Sequence, residues 1–147
     1  MFDLDPPDPT GFPLAIQAAL EMNSIFESLD IVSYPKLSGS KGLQIHIPLG
    51  SSDLSYTETR AFTSFIAEYL IGKFPNNFTI ERLKKDRGQK LYIDYLQHGK
   101  GKTIIAPYSA RGKSGATVAA PLDWNEINDT LDVRNFTIPA VKKTAGN

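Results

Sequence analysis

The chain has no cysteine, so disulfides, thiolate metal sites and cysteine nucleophiles are all excluded. Its longest apolar stretches are short of a membrane span, and no basic segment with an apolar core opens it, so neither a transmembrane helix nor a signal peptide is expected. Net charge is absent too, with 16 basic and 16 acidic residues, and this balance removes a strongly basic or acidic character as a guide to partners. The first thirty residues contain no lysine or arginine. These absences fit a cytoplasmic protein of one domain. A length of 147 residues with 41% hydrophobic and 10% aromatic content is enough for a real core.

Zero net charge conceals an uneven distribution. Residues 1–30 hold six acids (Asp3, Asp5, Asp8, Glu21, Glu27 and Asp30), whereas residues 82–113 hold nine bases against Asp86 and Asp94. An acidic pole able to hold cations lies beside a basic stretch able to meet phosphates, and a solvated surface is the equal alternative.

The acidic pole begins with Met1-Phe2-Asp3-Leu4-Asp5 followed by Pro6-Pro7. Alternation of apolar and acidic residues reads as a strand, with Asp3 and Asp5 on one face and Phe2 and Leu4 in the core. The two prolines end it, since neither can donate to a ladder. Adjacent like charges on one strand face repel, and a divalent cation with oxygen ligands is the usual remedy. A solvated acidic N-terminus is the plainer alternative. Asp94 poses a similar question from Lys90-Leu91-Tyr92-Ile93-Asp94-Tyr95-Leu96, an apolar and aromatic strand in which a lone carboxylate requires a lysine, an arginine or a metal.

Between these stretches the pattern predicts a helix over about 11–28, capped near Asp8, and a second over about 56–73, stopped by Pro75-Asn76-Asn77. Ile31 to Leu37 reads as a strand interrupted or forced to an edge by Pro35. Ser38-Gly39-Ser40-Lys41-Gly42 is a turn of small residues whose amides and Lys41 suit an anion. Strand 43–48 comes next, with Leu43, Ile45 and Ile47 on one face and Gln44 and His46 on the other. Residues 50–53 read as a loop and 97–102 as a flexible basic loop. Residues 103–111 and 117–122 are expected to be extended, 123–127 a short helix capped by Asp123, and 142–147 a frayed polar tail. The order of elements predicts an α+β fold with a mixed, mostly antiparallel sheet and flanking helices.

Four stretches taken together resemble the polymerase domain of bacterial ligase D, in the archaeo-eukaryotic primase superfamily. They are Phe2-Asp3-Leu4-Asp5-Pro6, Leu37 to Leu43, Tyr92 to Gln97, and Ala106-Pro107-Tyr108-Ser109-Ala110-Arg111 followed by Pro121-Leu122. The resemblance implies a primase-polymerase-like catalytic core in which Asp3, Asp5 and Asp94 are catalytic and bind two Mn²⁺ or Mg²⁺ ions. It implies nucleotide-binding roles for Ser38, Lys41, Gln97 and Arg111, with Arg87 nearby. Many relatives carry histidine where this chain has Gln44, and His46 on the same strand face is the candidate substitute.

The same resemblance implies a nucleotidyltransferase that adds nucleotides, ribonucleotides preferred, to DNA 3′ ends in double-strand break repair by non-homologous end joining. Its expected partners are DNA ends with primer and template, nucleoside triphosphates, a DNA ligase module and the Ku end-binding protein, in a nucleoid-associated cytoplasmic setting. The family's domain holds about a hundred residues before the paired acids. They carry a 5′-phosphate pocket, template-stacking aromatics and another histidine, so residues 1–147 are expected to be the C-terminal catalytic part of such a domain. A non-catalytic nucleic-acid-binding remnant is the alternative, and a small metal-dependent phosphoesterase a third reading.

Overall fold

Strand β1 (Phe2–Asp5) is the centre of the molecule. In the computed structural model, which describes residues 1–51 and 53–145, it pairs on both sides within a five-stranded sheet. Its neighbours are β3 (Leu43–His46) and β5 (Leu91–Asp94), and the outer strands are β2 (Tyr34–Leu37) and β4 (Phe78–Thr79), in the order β2-β3-β1-β5-β4. Every pairing is antiparallel except that of β4 with β5. The expected α+β class with a mixed, mostly antiparallel sheet is what forms.

Alternation on β1 decides which face is covered. Phe2 and Leu4 are fully buried, as are Leu43, Ile45, Leu91 and Ile93 from the flanking strands. Helices α1 (Phe12–Ser28) and α2 (Tyr56–Lys73) close over this apolar face. The contact runs through a line of rings, Phe2 to Phe26 at 6.1 Å and Phe26 to Phe62 at 6.2 Å. Helix α2 starts at a reciprocal cap in which the Glu58 amide donates to the Ser55 hydroxyl and the Ser55 amide donates to Glu58. Ahead of α1, Asp8 accepts from the amides of Thr10 and Gly11 and caps a short 3-10 turn. The opposite, polar face of the sheet is left to Asp3, Gln44, Lys36 and Asp94.

Several elements depart from the sequence pattern for identifiable reasons. Strand β2 begins only at Tyr34, and Pro35 does sit at the sheet edge, where its carbonyl accepts from Leu122 N–H at 3.0 Å. Residues 103–111 do not form a strand. Pro107 has no N–H, Tyr108 takes a left-handed φ of 63°, and only Ala110 makes a bridge, to Val118. Residues 117–122 likewise contribute isolated bridges, Thr117 to Thr137 and Pro121 to Lys36 among them. The expected helix at 123–127 is a 3-10 turn over Trp124–Glu126. The tail expected to be frayed is helical as far as residue 145, as the end of α3 (Ile138–Ala145), whose proline falls in the first turn, where one is tolerated. Gly146 and Asn147, like Ser52 of the 50–53 loop, lie outside the described residues. Among those described, no helix is long and apolar enough to cross a membrane.

Phe26, fully buried between Phe2 and Phe62, carries the helix-to-sheet contact. Replacing it with alanine is expected to cost about 3–5 kcal/mol in urea unfolding, and a loss below about 1 kcal/mol would place the core contact elsewhere.

Candidate active site

Register brings the acids together. Asp3 stands opposite Asp94 on β5 and opposite Gln44 on β3, and Gln44 in turn stands opposite Lys36 on β2. Paired residues share a sheet face. The polar face therefore carries a row Lys36–Gln44–Asp3–Asp94 across four strands, with Asp5 one step on beside Tyr92. Two acids far apart in sequence become cross-strand neighbours because β5 returns antiparallel to β1.

Each carboxylate is held differently. One Asp94 oxygen accepts from the amides of Leu96 and Gln97, both at 3.0 Å, which fixes it at the turn leaving β5. Asp5 is flanked by cations, the Lys41 ammonium at 3.3 Å and the Arg87 guanidinium at 3.4 Å. Asp3 has no such flank. Burial, then the charges of Asp5 and Asp94, push its carboxyl up to about 6, against the pull of Gln44 and Lys36.

The turn between β2 and β3 faces these acids. The Ser38 hydroxyl accepts from the amides of Ser40 and Gly42, both at 3.2 Å, and its proton remains free for a ligand. Lys41 reaches back to the Pro6 carbonyl at 2.6 Å, tying the turn to the end of β1. Gly42 is required by space, since a Cβ there would stand 2.2 Å from the Leu4 carbonyl oxygen. Gly39, at φ 71°, lies under a second hairpin that carries Arg111; a Cβ would meet the Ala119 amide at 2.8 Å and Arg111 Cγ at 2.9 Å. That hairpin is latched by Thr117 Oγ1 donating to the Gly39 carbonyl at 2.7 Å.

The result is a cavity of about 470 Å³ lined by Asp3, Asp5, Ser38, Lys41, Gln44, Gln97 and Arg111, with Thr103, Ile104 and Ile105 completing its wall. Six of the residues picked from sequence thus meet in one place. Asp94 abuts them through its pairing with Asp3. Arg87 lies behind Asp5, its guanidinium 3.8 Å from the Tyr92 ring centre and bonded to the carbonyls of Glu81 and Arg82, so its role in the geometry is to brace Asp5. Gln97 points its amide nitrogen at the Thr103 carbonyl, 2.7 Å away.

His46 is not brought into this cavity. It shares the face and comes within 3.4 Å of Gln44 Oε1, but it lines a separate apolar hollow with Met1 and Phe62. Burial, then Lys36 and the chain's amino terminus, lower its imidazole to about 4. Gln44, not His46, lines the cavity. Lys36 and Lys113 escaped the sequence reading; Lys113 Nζ stands 2.5 Å from Ser40 Oγ. Strand alternation could have flagged Lys36, two positions before Ser38 on the polar face.

The acids feel one another, yet among the described residues no group of three or more His, Asp or Glu side chains is closed into a metal cage. Both observations are explained by the arrangement: Asp94 turns an oxygen to backbone amides and Asp5 turns to its two cations. The donor set still fits a hard divalent ion. Carboxylate oxygens are the ligands such ions take, magnesium is commonly held by one or two of them together with substrate phosphates, and a cation would offset the burial and the repulsion that raise Asp3.

Comparison with known proteins decides the family. Residues 1–147 match the profile of the LigD primase-polymerase domain. The chain belongs to this family. Within the LigD family it is 54% identical over 141 residues to the bifunctional non-homologous end joining protein LigD of Bacillus subtilis, covering 96% of this chain and 23% of that protein. It is 36% identical over 129 residues to the multifunctional LigD of Mycolicibacterium smegmatis, covering 88% of this chain and 17% of that one. The polymerase domain of Mycobacterium tuberculosis ligase D, solved in complex with DNA, superposes with a TM-score of 0.84 at 30% identity. That match takes in 99% of this chain and 50% of the mycobacterial one. The chain thus spans about a quarter or less of the LigD proteins it matches.

Asp3 yields a prediction whose sign is opposite to that of an ordinary ion-paired aspartate. Its folded value of about 6 exceeds its unfolded one, so its contribution to stability is complete below about pH 4 and is lost as pH rises through 6. His46, lowered, pulls the other way over part of that range, so the comparison must be between variants. In metal-free buffer Asp3→Asn is expected to be more stable than the parent by about 2–3 kcal/mol at pH 7.5 and equal to it near pH 4. Added Mn²⁺ is expected to stabilise the parent and narrow the gap. Urea unfolding at both pH values checks this, and equal stability at pH 7.5 would mean that neither burial nor the neighbouring carboxylates raise Asp3.

Proposed function

We propose that this chain is the catalytic part of a primase-type polymerase domain, residues 1–147 forming one unit. It adds nucleotides, ribonucleotides by preference, to DNA 3′ ends during double-strand break repair by non-homologous end joining. The observation that carries the reading is the meeting of Asp3 and Asp5 with Ser38, Lys41 and Arg111 around one cavity, with Asp94 beside it as the cross-strand partner of Asp3. Acids alone would suit many cation sites. Acids sharing a cavity with Ser38, Lys41 and Arg111 suit nucleotidyl transfer.

In the reaction, the primer 3′-oxygen forms a bond to the α-phosphorus of the triphosphate, the bond to the leaving pyrophosphate breaks, and the hydroxyl proton departs. Asp3, Asp5 and Asp94 are the residues that would hold two Mn²⁺ or Mg²⁺ ions. Such ions, when bound, lower the proton affinity of the attacking hydroxyl and neutralise charge on the phosphates. Lys41 and Arg111 draw the β- and γ-phosphates to the turn, Arg111 with a planar fork suited to two oxygens. Ser38 donates its free proton to the same group. Arg87 keeps Asp5 facing the cavity. DNA ends, nucleoside triphosphates, a ligase module and Ku are the proposed partners, in a nucleoid-associated cytoplasmic setting.

One observation favours a second reading. Asp5 is already answered by Lys41 and Arg87, and Asp94 by backbone amides, which suits a nucleic-acid-binding remnant without catalysis. Extension of a primer with a 3′ overhang, in Mn²⁺ and labelled ribonucleotides, separates the two. The parent chain is expected to extend the primer, and Asp5→Asn or Asp94→Ala to lower the rate by roughly two orders of magnitude or more. DNA binding without any extension by the parent chain would establish the remnant instead.

A further inference from the structure

Lys36 is 4% exposed, an unusual setting for an ammonium group. It lies at the end of the polar row, opposite Gln44, and its Nζ donates to the Ile105 carbonyl. Its charge is also felt at Asp3 and opposed by Arg111. Removing a lysine from water is destabilising unless it is well paired, and one carbonyl is thin compensation for a purely structural residue. The segment it holds is more telling.

Residues 103–105 join no ladder. Two side chains tether them: Gln97 Nε2 to the Thr103 carbonyl at 2.7 Å, and Lys36 to the Ile105 carbonyl. Between those ties run the residues that complete the wall of the cavity holding Asp3 and Arg111. Beyond them, Tyr108 in its left-handed conformation donates its amide to the Ala119 carbonyl at 2.7 Å, which ends the segment. With the triphosphate drawn to Ser38, Lys41 and Arg111, the lining left for the nucleoside is this segment of Thr103, Ile104 and Ile105, together with Gln44 and Gln97.

We infer that Lys36 is a positioning residue that anchors the Thr103–Ile105 segment as the nucleoside-facing wall of the site, and so sets affinity for the nucleoside half of the substrate. The inference rests on the nucleotide site proposed above and goes further by dividing it into a phosphate side and a nucleoside side with separate supports. Lys36 touches neither phosphate nor base. It acts through the backbone it holds.

The test compares two probes on the 147-residue chain in Mn²⁺: a fluorescent N-methylanthraniloyl ATP, and inorganic tripolyphosphate, which lacks the nucleoside. Lys36→Met is expected to weaken the ATP probe by about tenfold, the scale of one charged hydrogen bond, and to leave tripolyphosphate within about twofold. Hydrogen exchange is expected to quicken at the amides of residues 104–106 and to stay unchanged in β1 and β5. Lys36→Arg is expected to restore both readouts. Gln97→Leu, which cuts the other tie, is expected to quicken the same amides even should Lys36→Met not fold. Equal loss of both ligands would make Lys36 a plain counter-charge, and unchanged ATP binding with unchanged exchange would remove the anchor; either overturns the inference. A parent chain that binds neither ligand would instead sink the nucleotide site itself.

Discussion

Repulsion between carboxylates at the centre of the sheet is the constraint on which the rest of the structure depends. Asp3 and Asp94 are antiparallel neighbours, the position at which like charges oppose each other most directly. The fold keeps them there and surrounds them with partial answers. Backbone amides take one oxygen of Asp94, Lys41 and Arg87 take Asp5, and Lys36 acts on Asp3 from two strands away. Asp3 is left incompletely answered, with its carboxyl raised. A sheet built only for stability would place apolar or paired residues here, and the raised carboxyl supports the proposed cation site.

That arrangement also explains how the molecule divides. One sheet face is covered by α1 and α2 through Phe2, Leu4, Ile45 and Phe26, which fixes β1 in its register. A slip by one residue would turn Phe2 and Leu4 outward along with inverting the acids. Covering one face that firmly lets the other carry unfavourable charge. The turn at 38–42 is held by Gly42 against Leu4, by Lys41 on Pro6 and by the Arg111 hairpin over Gly39. The likeness to the mycobacterial ligase D polymerase domain keeps the same plan over nearly the whole chain.

Much of this was legible in the sequence where side-chain periodicity and covalent geometry speak directly. Alternation in residues 2–5 gave β1 and the shared face of Asp3 and Asp5. The spacing of Phe62, Ile66 and Leu70 and the stop after Lys73 gave α2 with its observed bounds, and Pro35 gave an edge strand. Strand β4 was not legible, because two residues paired in parallel leave no periodic trace. The 103–111 segment misled because its β-branched residues suit a strand, whereas tertiary ties from Lys36 and Gln97 satisfy its carbonyls instead. His46 was placed on the right face and in the wrong cavity, since alternation reports the side of a sheet and not the distance along it. Lys36 was passed over because one lysine in a short strand looks like solvated edge.

The central claim is that Asp3, Asp5 and Asp94 share cations. Electron paramagnetic resonance of Mn²⁺, titrated into the chain with ATP present, reads that occupancy without any need for turnover. The account predicts two bound ions in the parent chain, with binding lost when residues 3 and 94 are both changed to asparagine. Undiminished Mn²⁺ occupancy in that double variant would contradict it.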